Sequence, residues 1–162
     1  KTTAVIGGGD VAIEDAIFLA RMCSKVYLIH RRDELRGAKS LQNRLMSLDN
    51  VEVIWDTVVE EIVGSDKVEA LKLNNKKTGE KSELKVDGVF VAVGIEPDSG
   101  QYAGQVETDN QGYIIAGEDG RTSVDGVFAA GDVRTKALRQ IITAAADGAN
   151  CITSAQSYLT RI

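Results

Sequence analysis

Three consecutive glycines, at positions 7–9, separate two different hydrophobic patterns and restrict the fold more than any other feature of the chain. Residues 3–6 before them form a short apolar run that predicts a buried strand. From residue 10 to residue 22, Ile13, Ile17 and Ala20 recur at helical spacing, and acidic side chains occupy the first turns, where a helix dipole favours them. A strand that enters a helix through glycines is typical of a nucleotide-binding α/β fold.

The alternation of strand and helix continues along the first half of the chain. Apolar runs at residues 25–30 and 51–55 predict two strands, and Leu41, Leu45 and Leu48 share one side of a predicted helix over residues 38–48. This order predicts a parallel sheet with right-handed crossovers. Residues 58–86 alternate apolar with charged side chains, which predicts an antiparallel β-meander, and residues 88–94 return to the parallel sheet. We therefore predict a Rossmann-like α/β fold with an added meander.

The pattern changes after residues 94–97, which include the single proline of the chain, Pro97. We predict short strands at residues 112–117 and 126–131. A long helix is predicted over residues 138–159, with one apolar face formed by Ile141, Ala145, Ala149 and Ile152. The chain is thus expected to contain two domains, residues 1–94 and residues 95–162.

Composition excludes several classes of function. A net charge of −5 argues against nucleic acid or an anionic membrane as the main partner, since both require broad basic surfaces. Cys23 and Cys151 lack the spacing of a redox pair or a zinc site, so no metal is predicted. Two isolated thiols and the lack of a bilayer-length apolar run predict a cytoplasmic protein. A strand that begins almost at residue 1, without an initiator Met, suggests part of a longer polypeptide.

The glycine run fits the dinucleotide-binding pattern G-x-G-x-x-A over residues 7–12. Gly7 permits the tight turn, Gly9 lets the backbone approach a pyrophosphate, and Ala12 allows close packing of helix on strand. The unsatisfied amides of the helix start would hold the anion. A glycine-rich turn without a ligand would also fit the pattern, but its position inside a predicted βαβ unit favours the nucleotide.

A cluster of basic residues stands at the end of the second predicted strand: His30, Arg31, Arg32 and Arg36. Arg31 lies 22 positions after Gly9, close to where NAD-binding proteins place an Asp or Glu for the ribose 2′-hydroxyl. Guanidinium groups instead form forked, charge-assisted hydrogen bonds with a 2′-phosphate. The cluster therefore predicts NADP(H) over NAD(H). The alternative is a solvated charged face in which the arginines pair with Asp33 and Glu34.

A third stretch, residues 122–133, predicts a buried strand that ends in Gly131 and Asp132. A carboxylate would then emerge at the carboxyl end of a sheet, where open α/β sheets bind ligands. Arg139, Gln140 and Ile141 open the long helix, whose positive end can face an electron-rich ring. Taken alone, these residues indicate a turn followed by a helix and no more.

In this order the three stretches resemble the carboxyl-terminal half of a bacterial-type thioredoxin reductase. The similar segments are GGGDVAIEDA, HRRDELRGAK, GVFVAVGIEPDS, and TSVDGVFAAGDV with LRQI, and the resemblance covers essentially all 162 residues. It implies that residues 1–94 form an NADPH-binding domain and that residues 95–162 form the end of an FAD-binding domain.

The resemblance also implies which residues contact the cofactors. The pyrophosphate of NADPH would be lined by Gly7, Gly8, Gly9, Asp10, Val11 and Ala12, and its adenosine phosphate would be held by His30, Arg31, Arg32 and Arg36. Gly94 would lie near the nicotinamide. In the turn at Gly131, Asp132 would accept a hydrogen bond from the ribityl chain of FAD. Arg139, Gln140 and the amide of Ile141 would approach the flavin ring. Val11 departs from the family, which often carries a small hydroxyl residue there.

As a whole enzyme, such a protein would pass hydride from NADPH to FAD and then electrons to a protein disulfide, with thioredoxin as partner and a homodimer as its assembly. The redox C-x-x-C pair and the first FAD motif of the family are not in these residues, so no catalytic residue is predicted. Two alternatives are a related ferredoxin or flavodoxin NADP reductase, and a stand-alone NADPH-binding module without turnover. A tail without the rest of its sheet is expected to expose apolar segments such as residues 127–130.

Overall fold

The computed structural model of the chain describes residues 1–161. They form two compact units, residues 1–94 and residues 95–161, each of which is described by itself.

The first unit contains two sheets and two helices. Its elements are β1 (Thr2–Gly7), α1 (Asp10–Leu19), β2 (Lys25–Ile29), α2 (Lys39–Met46), β3 (Val51–Ile54), β4 (Thr57–Gly64), β5 (Val68–Asn75), β6 (Lys81–Lys85) and β7 (Gly88–Ala92). The parallel sheet has the strand order β3-β2-β1-β7, and the antiparallel sheet has the order β4-β5-β6. The predicted α/β fold with a parallel sheet and a meander is confirmed.

Alternation along β1 explains the layers of this unit. Neighbouring side chains in a strand point to opposite faces of the sheet, and both Ala4 and Val5 are fully buried. Val5 packs with Ile13 of α1 and Leu45 of α2 on one face. Ala4 packs with Leu71 of β5 on the other. Helices therefore cover one face of the parallel sheet and the meander covers the other.

Helix ends depart slightly from the predicted ones. The helix predicted over residues 10–22 ends at Leu19, because the following amides of Arg21 and Met22 hydrogen bond three residues back, to Phe18 and Leu19. This tightening is common in last turns. The second helix, predicted over residues 38–48, spans Lys39–Met46.

The second unit is built differently from the prediction. It contains short 3₁₀ turns at Gly100–Tyr102 and Gly131–Val133 and one long helix, α3 (Ile141–Leu159). The strands predicted at residues 112–117 and 126–131 are wrong. Within the described part of this unit, those segments make isolated bridges only, such as Ile114 with Arg134 and Arg121 with Phe128. A strand needs a continuous neighbour, and these segments find partners one residue at a time.

The long helix begins three residues later than predicted and presents its apolar stripe outward. Gln140 keeps an extended backbone (φ −142°, ψ 156°) and caps the helix, which starts at Ile141. Ile141 and Ile152 are 92% and 72% exposed, whereas Asp147 and Ser154 are buried. The predicted periodicity is present, but the buried face is the polar one. Over residues 1–161, no helix combines the length and apolar character needed to cross a membrane.

Candidate functional site

The first two glycines of the turn are required by close packing. Gly7 ends β1 with a φ of +154°, and a Cβ there would meet the carbonyl oxygen of Ala92 and approach the Cβ of Ala12 to 2.7 Å. A Cβ on Gly8 would overlap the imidazole ring of His30. The turn therefore lies where β1, β2, β7 and α1 converge, and only glycine fits.

Gly9, in contrast, faces open space. It precedes α1 with an extended backbone, its carbonyl accepts from the amide of Ile13 at 3.2 Å, and an added Cβ would meet nothing within 4 Å. Amides in the first turn of a helix have no partner within the helix and attract anions. Such an opening at a helix start leaves room for a phosphate group.

The remaining residues of the predicted pyrophosphate loop have separate roles. The Asp10 carboxylate accepts a hydrogen bond from the amide of Ala38 at 2.7 Å, so it faces the segment after β2. Val11 is 63% exposed and Ala12 is fully buried. Asp10 thus joins the glycine loop to the segment before α2, and its carboxylate is directed toward a backbone amide.

The basic segment, residues 30–36, is joined directly to the glycine turn. The amide of Arg36 donates to the carbonyl of Gly8 at 2.7 Å. Arg31, Arg32 and Arg36 are all exposed, and over the described residues none of them forms an ion pair. Asp33, which the alternative interpretation paired with these arginines, instead contacts Lys77 at 2.8 Å. The three guanidinium groups are therefore available to an anion.

His30 differs from its neighbours because it is buried. It is 4% exposed, its amide donates to the carbonyl of Ile54 at 2.9 Å, and its Nε2 has no hydrogen-bond partner among residues 1–161. Burial, together with the positive charges of Arg36, Arg32 and Arg31, holds the pKa of His30 below its ordinary value. The ring is therefore neutral at pH 7, and it supports Gly8 by packing.

A cavity of about 550 Å³ opens at the carboxyl ends of β1, β2 and β7. Its lining includes five of the predicted site residues: Gly7, Gly8, His30, Arg31 and Arg36. Strand β4 contributes the opposite wall through residues 57–62, and Val91, Ala92 and Val93 contribute the end of β7. Gly94, predicted to lie near the nicotinamide, follows directly with a φ of +108°. The position of the cavity suits a dinucleotide, since open parallel sheets bind ligands at this edge.

In the second unit, the predicted turn at Gly131 and Asp132 is held by hydrogen bonding to the long helix α3. Gly131 has a φ of +79°, and its amide donates to Asp147 Oδ2 at 2.9 Å. Asp132 is exposed. Arg134 binds both oxygens of Asp147, at 2.9 and 2.6 Å, and Lys136 Nζ lies 2.6 Å from Oδ2. The turn is thus fixed while the Asp132 carboxylate is left accessible.

The three residues before and at the start of α3 are not equivalent. The Arg139 guanidinium lies 3.9 Å above the ring of Tyr113, a cation–π contact. Gln140 forms a capping box with Thr143, so its side chain is occupied by the helix start. Ile141 is almost fully exposed. Of the predicted flavin contacts, Asp132 and the amide end of the helix are accessible, whereas the Gln140 side chain already has a partner.

Comparison with known proteins decides the family. The sequence model of the pyridine nucleotide-disulphide oxidoreductases matches residues 1–148. The chain belongs to this family.

Its relatives are thioredoxin reductases. The protein of Peptoclostridium litorale is 43% identical over 164 residues, which cover 98% of this chain and 52% of that protein. Thioredoxin reductase of Listeria monocytogenes is 45% identical, with 98% of this chain and 50% of that protein covered. Thioredoxin reductase 2 of Arabidopsis thaliana is 46% identical, with coverage of 100% and 43%. The chain thus spans about half the length of the curated relatives it matches.

Solved structures give the same result. Lactococcus lactis thioredoxin reductase, in its FR conformation, matches with a TM-score of 0.76 and 40% identity, covering 99% of this chain and 54% of that one. The enzyme of Streptococcus pyogenes matches with a TM-score of 0.74 and 45% identity, covering 99% and 53%. The predicted resemblance is confirmed.

Sequence reasoning missed the charged residues that support the second unit of this family member. Arg134 and Asp147 are 3% and 4% exposed, and Lys136 joins them. Hydrogen bonds from Arg134 outweigh burial and hold the pKa of Asp147 well below its ordinary value. The sequence does contain one sign of this buried charge, since Asp147 is the single acid within the run AAADGA. An exposed carboxylate would not need such small neighbours, whereas a closely packed one would.

Cys23 does not line the cavity of the first unit, and both cysteines pack among other residues. Cys23 Sγ lies 3.2 Å from the Thr3 hydroxyl, and Cys151 lies beside Gly120 and the carbonyl of Ala129. Burial raises the pKa of the Cys151 thiol, which makes it a poorer nucleophile. Both are half-buried free thiols, in agreement with a packing role.

Proposed function

We propose that the chain is a portion of an NADPH-dependent thioredoxin-disulfide reductase, with residues 1–94 as the NADPH domain and residues 95–162 as the end of the FAD domain. One observation carries the proposal. Three exposed guanidinium groups, from Arg31, Arg32 and Arg36, stand without carboxylate partners in the described chain beside an open glycine turn. A doubly charged 2′-phosphate is the ligand that such a group of arginines fits.

Several features of the first unit support NADPH as its ligand. The amides after Gly9 would receive the pyrophosphate, because the space in front of them is open. Arg31, Arg32 and Arg36 would hold the 2′-phosphate, and Gly94 would lie on the nicotinamide side. His30, being neutral, would line the adenosine end of the site and would leave the charge of the phosphate to the arginines. A cavity of about 550 Å³ falls in the range of dedicated small-molecule sites.

The second unit fits part of a flavin site. The exposed Asp132 would accept hydrogen bonds from a polyol chain, and the amide of Ile141 would face the ring. Arg139 would approach the ring edge beside Tyr113, and Gln140 would act mainly through its backbone, because its side chain caps the helix. When bound, NADPH supplies a hydride and FAD accepts it, while the protein positions the two and excludes competing reactions.

The proposal extends to partners and location. Thioredoxin, or a similar redox protein, would receive the electrons in the cytoplasm, and the whole enzyme would be a homodimer. No nucleic acid or membrane is proposed as a partner, because the chain is acidic.

Titration of the chain with dinucleotides tests the proposal. NADPH and 2′,5′-ADP should compete for one site, and NADH should bind about 100-fold more weakly, because it lacks the charged ester. Isothermal titration calorimetry measures all three. Equal affinity for NADPH and NADH would refute the assignment. In the full-length polypeptide, NADPH-dependent reduction of thioredoxin disulfide is expected. Reduction of a ferredoxin or flavodoxin in its place would contradict the thioredoxin assignment, as would NADPH binding without flavin.

Neighbouring glycines should respond differently to alanine. Gly8→Ala inserts a methyl group into the His30 ring, so the free energy of unfolding should fall by about 2 kcal/mol. Gly9→Ala meets no protein atom and should leave stability within about 0.5 kcal/mol, yet weaken NADPH binding about tenfold by occupying the phosphate space. Urea unfolding and calorimetry separate the two effects. If Gly9→Ala binds NADPH normally, the pyrophosphate does not approach this glycine.

A further inference from the structure

The turn between β5 and β6 reaches the basic segment through Lys77. Its Nζ lies 2.8 Å from Asp33 Oδ2 and 3.1 Å from Asp56 Oδ2. The amides of Lys77 and Thr78 both donate hydrogen bonds to Asn75 Oδ1 at 3.0 Å. These bonds fix the backbone from which the Lys77 side chain extends. Lys77, which lies 44 residues from Asp33 in sequence, is therefore held against the basic segment.

The same turn also supports the backbone of the basic segment. The amide of Lys76 donates to the carbonyl of Asp56 at 2.6 Å, and the amide of Asp56 donates to the carbonyl of Arg32 at 3.2 Å. The next amide, that of Thr57, donates to the carbonyl of His30 at 2.9 Å. Two carbonyls of the basic segment are thus hydrogen bonded to residues at the start of the meander, which holds the meander against this segment.

Charge explains why a lysine is useful at this place. Asp33 lies within the basic segment, next in sequence to Arg32 and two residues from Arg31. An uncompensated carboxylate there would attract the guanidinium groups and repel a phosphate. Lys77 binds this carboxylate, and its hydrogen bond holds the pKa of Asp33 below its ordinary value. The arginines are consequently left without that partner.

We propose that Lys77 determines specificity for the 2′-phosphorylated dinucleotide by neutralising Asp33, and that it acts as a positioning residue without contacting the phosphate. This inference rests on the proposed NADPH function. It adds a residue of the meander to a site otherwise composed of the glycine turn and the arginines.

A double-mutant cycle tests the inference. Lys77→Met should weaken NADPH binding about three- to tenfold and change NADH binding by less than about twofold, as expected for an exposed charge near a dianion. Lys77→Met combined with Asp33→Asn should restore part of the lost NADPH affinity, because one of the two carboxylates that Lys77 pairs is then neutral while Asp56 remains charged. Lys77→Arg should retain the wild-type affinity. Calorimetry at two salt concentrations supplies the readout, and the loss should shrink at high salt.

The matched control is Lys67→Met, which makes the same charge change at the other end of β5, about 25 Å along the strand. It should leave NADPH affinity within about twofold. An undiminished loss in the Asp33→Asn background would overturn the proposal, since it would mean direct contact of Lys77 with the ligand. An equal loss for NADH would also overturn it and would indicate a structural role. Wild-type discrimination between NADPH and NADH tests the underlying function separately.

Discussion

Arg31→Ala combined with Arg32→Ala will weaken NADPH binding about 100-fold or more, while NADH affinity changes by less than about threefold. A hydrogen bond to a charged group contributes about 1.5–3 kcal/mol, so two such contacts account for a loss of this size. Both side chains are exposed, and over residues 1–161 neither forms an ion pair, so their removal leaves the fold intact. Calorimetric titration with each dinucleotide measures the effect.

A double variant of equal charge provides the control for this prediction. Arg21→Ala with Arg44→Ala removes two exposed arginines from the helical side of the same unit, and it should leave both affinities within about twofold. Equal losses for NADPH and NADH in the Arg31 and Arg32 variant would contradict phosphate recognition. They would instead favour the interpretation of residues 30–36 as a solvated charged surface.

The first unit was predictable because its information is local. The apolar run before Gly7 and the helical spacing after it specify a strand–turn–helix, and the spacing from Gly9 to Arg31 specifies which strand end bears the arginines. The partner of Asp33 could not be read in the same way. Two arginines precede it in sequence and Glu34 follows it, yet it binds Lys77, because the meander brings a distant turn to the segment. Local charge patterns do not specify such long-range contacts.

The second unit was less predictable because its segments depend on contacts distant in sequence. Residues 112–117 and 126–131 have strand composition, but in the described structure they make single bridges, so composition overstated their regularity. The apolar stripe of α3 is not its buried face, since Ile141 and Ile152 are exposed and Asp147 is buried. A carboxylate is buried there only because Arg134 compensates its charge, which a periodicity argument does not detect.

Asp147→Asn should destabilise the second unit by about 3 kcal/mol, because it leaves Arg134 and Lys136 facing each other without their shared counter-ion. It also weakens the acceptor for the amide of Gly131, so the turn that presents Asp132 loosens. Hydrogen exchange followed by mass spectrometry should show about 100-fold faster exchange in α3. Peptides from β1 and α1 serve as the internal reference and should be unchanged. Asp125→Asn, at an exposed carboxylate, is the matched control and should leave exchange unaltered.

Acid gives an independent test of the same carboxylate. The folded-state pKa of Asp147 is depressed by Arg134, so its contribution to stability is present above the ordinary value of 3.8 and is lost as the pH falls below it. The wild type and Asp147→Asn should therefore differ by the full amount at pH 7 and converge as the pH falls below about 4. Urea unfolding of both proteins across this range measures the difference. A gap that persists unchanged at low pH would contradict this role, because it would show that the difference between the two proteins does not depend on the ionised carboxylate.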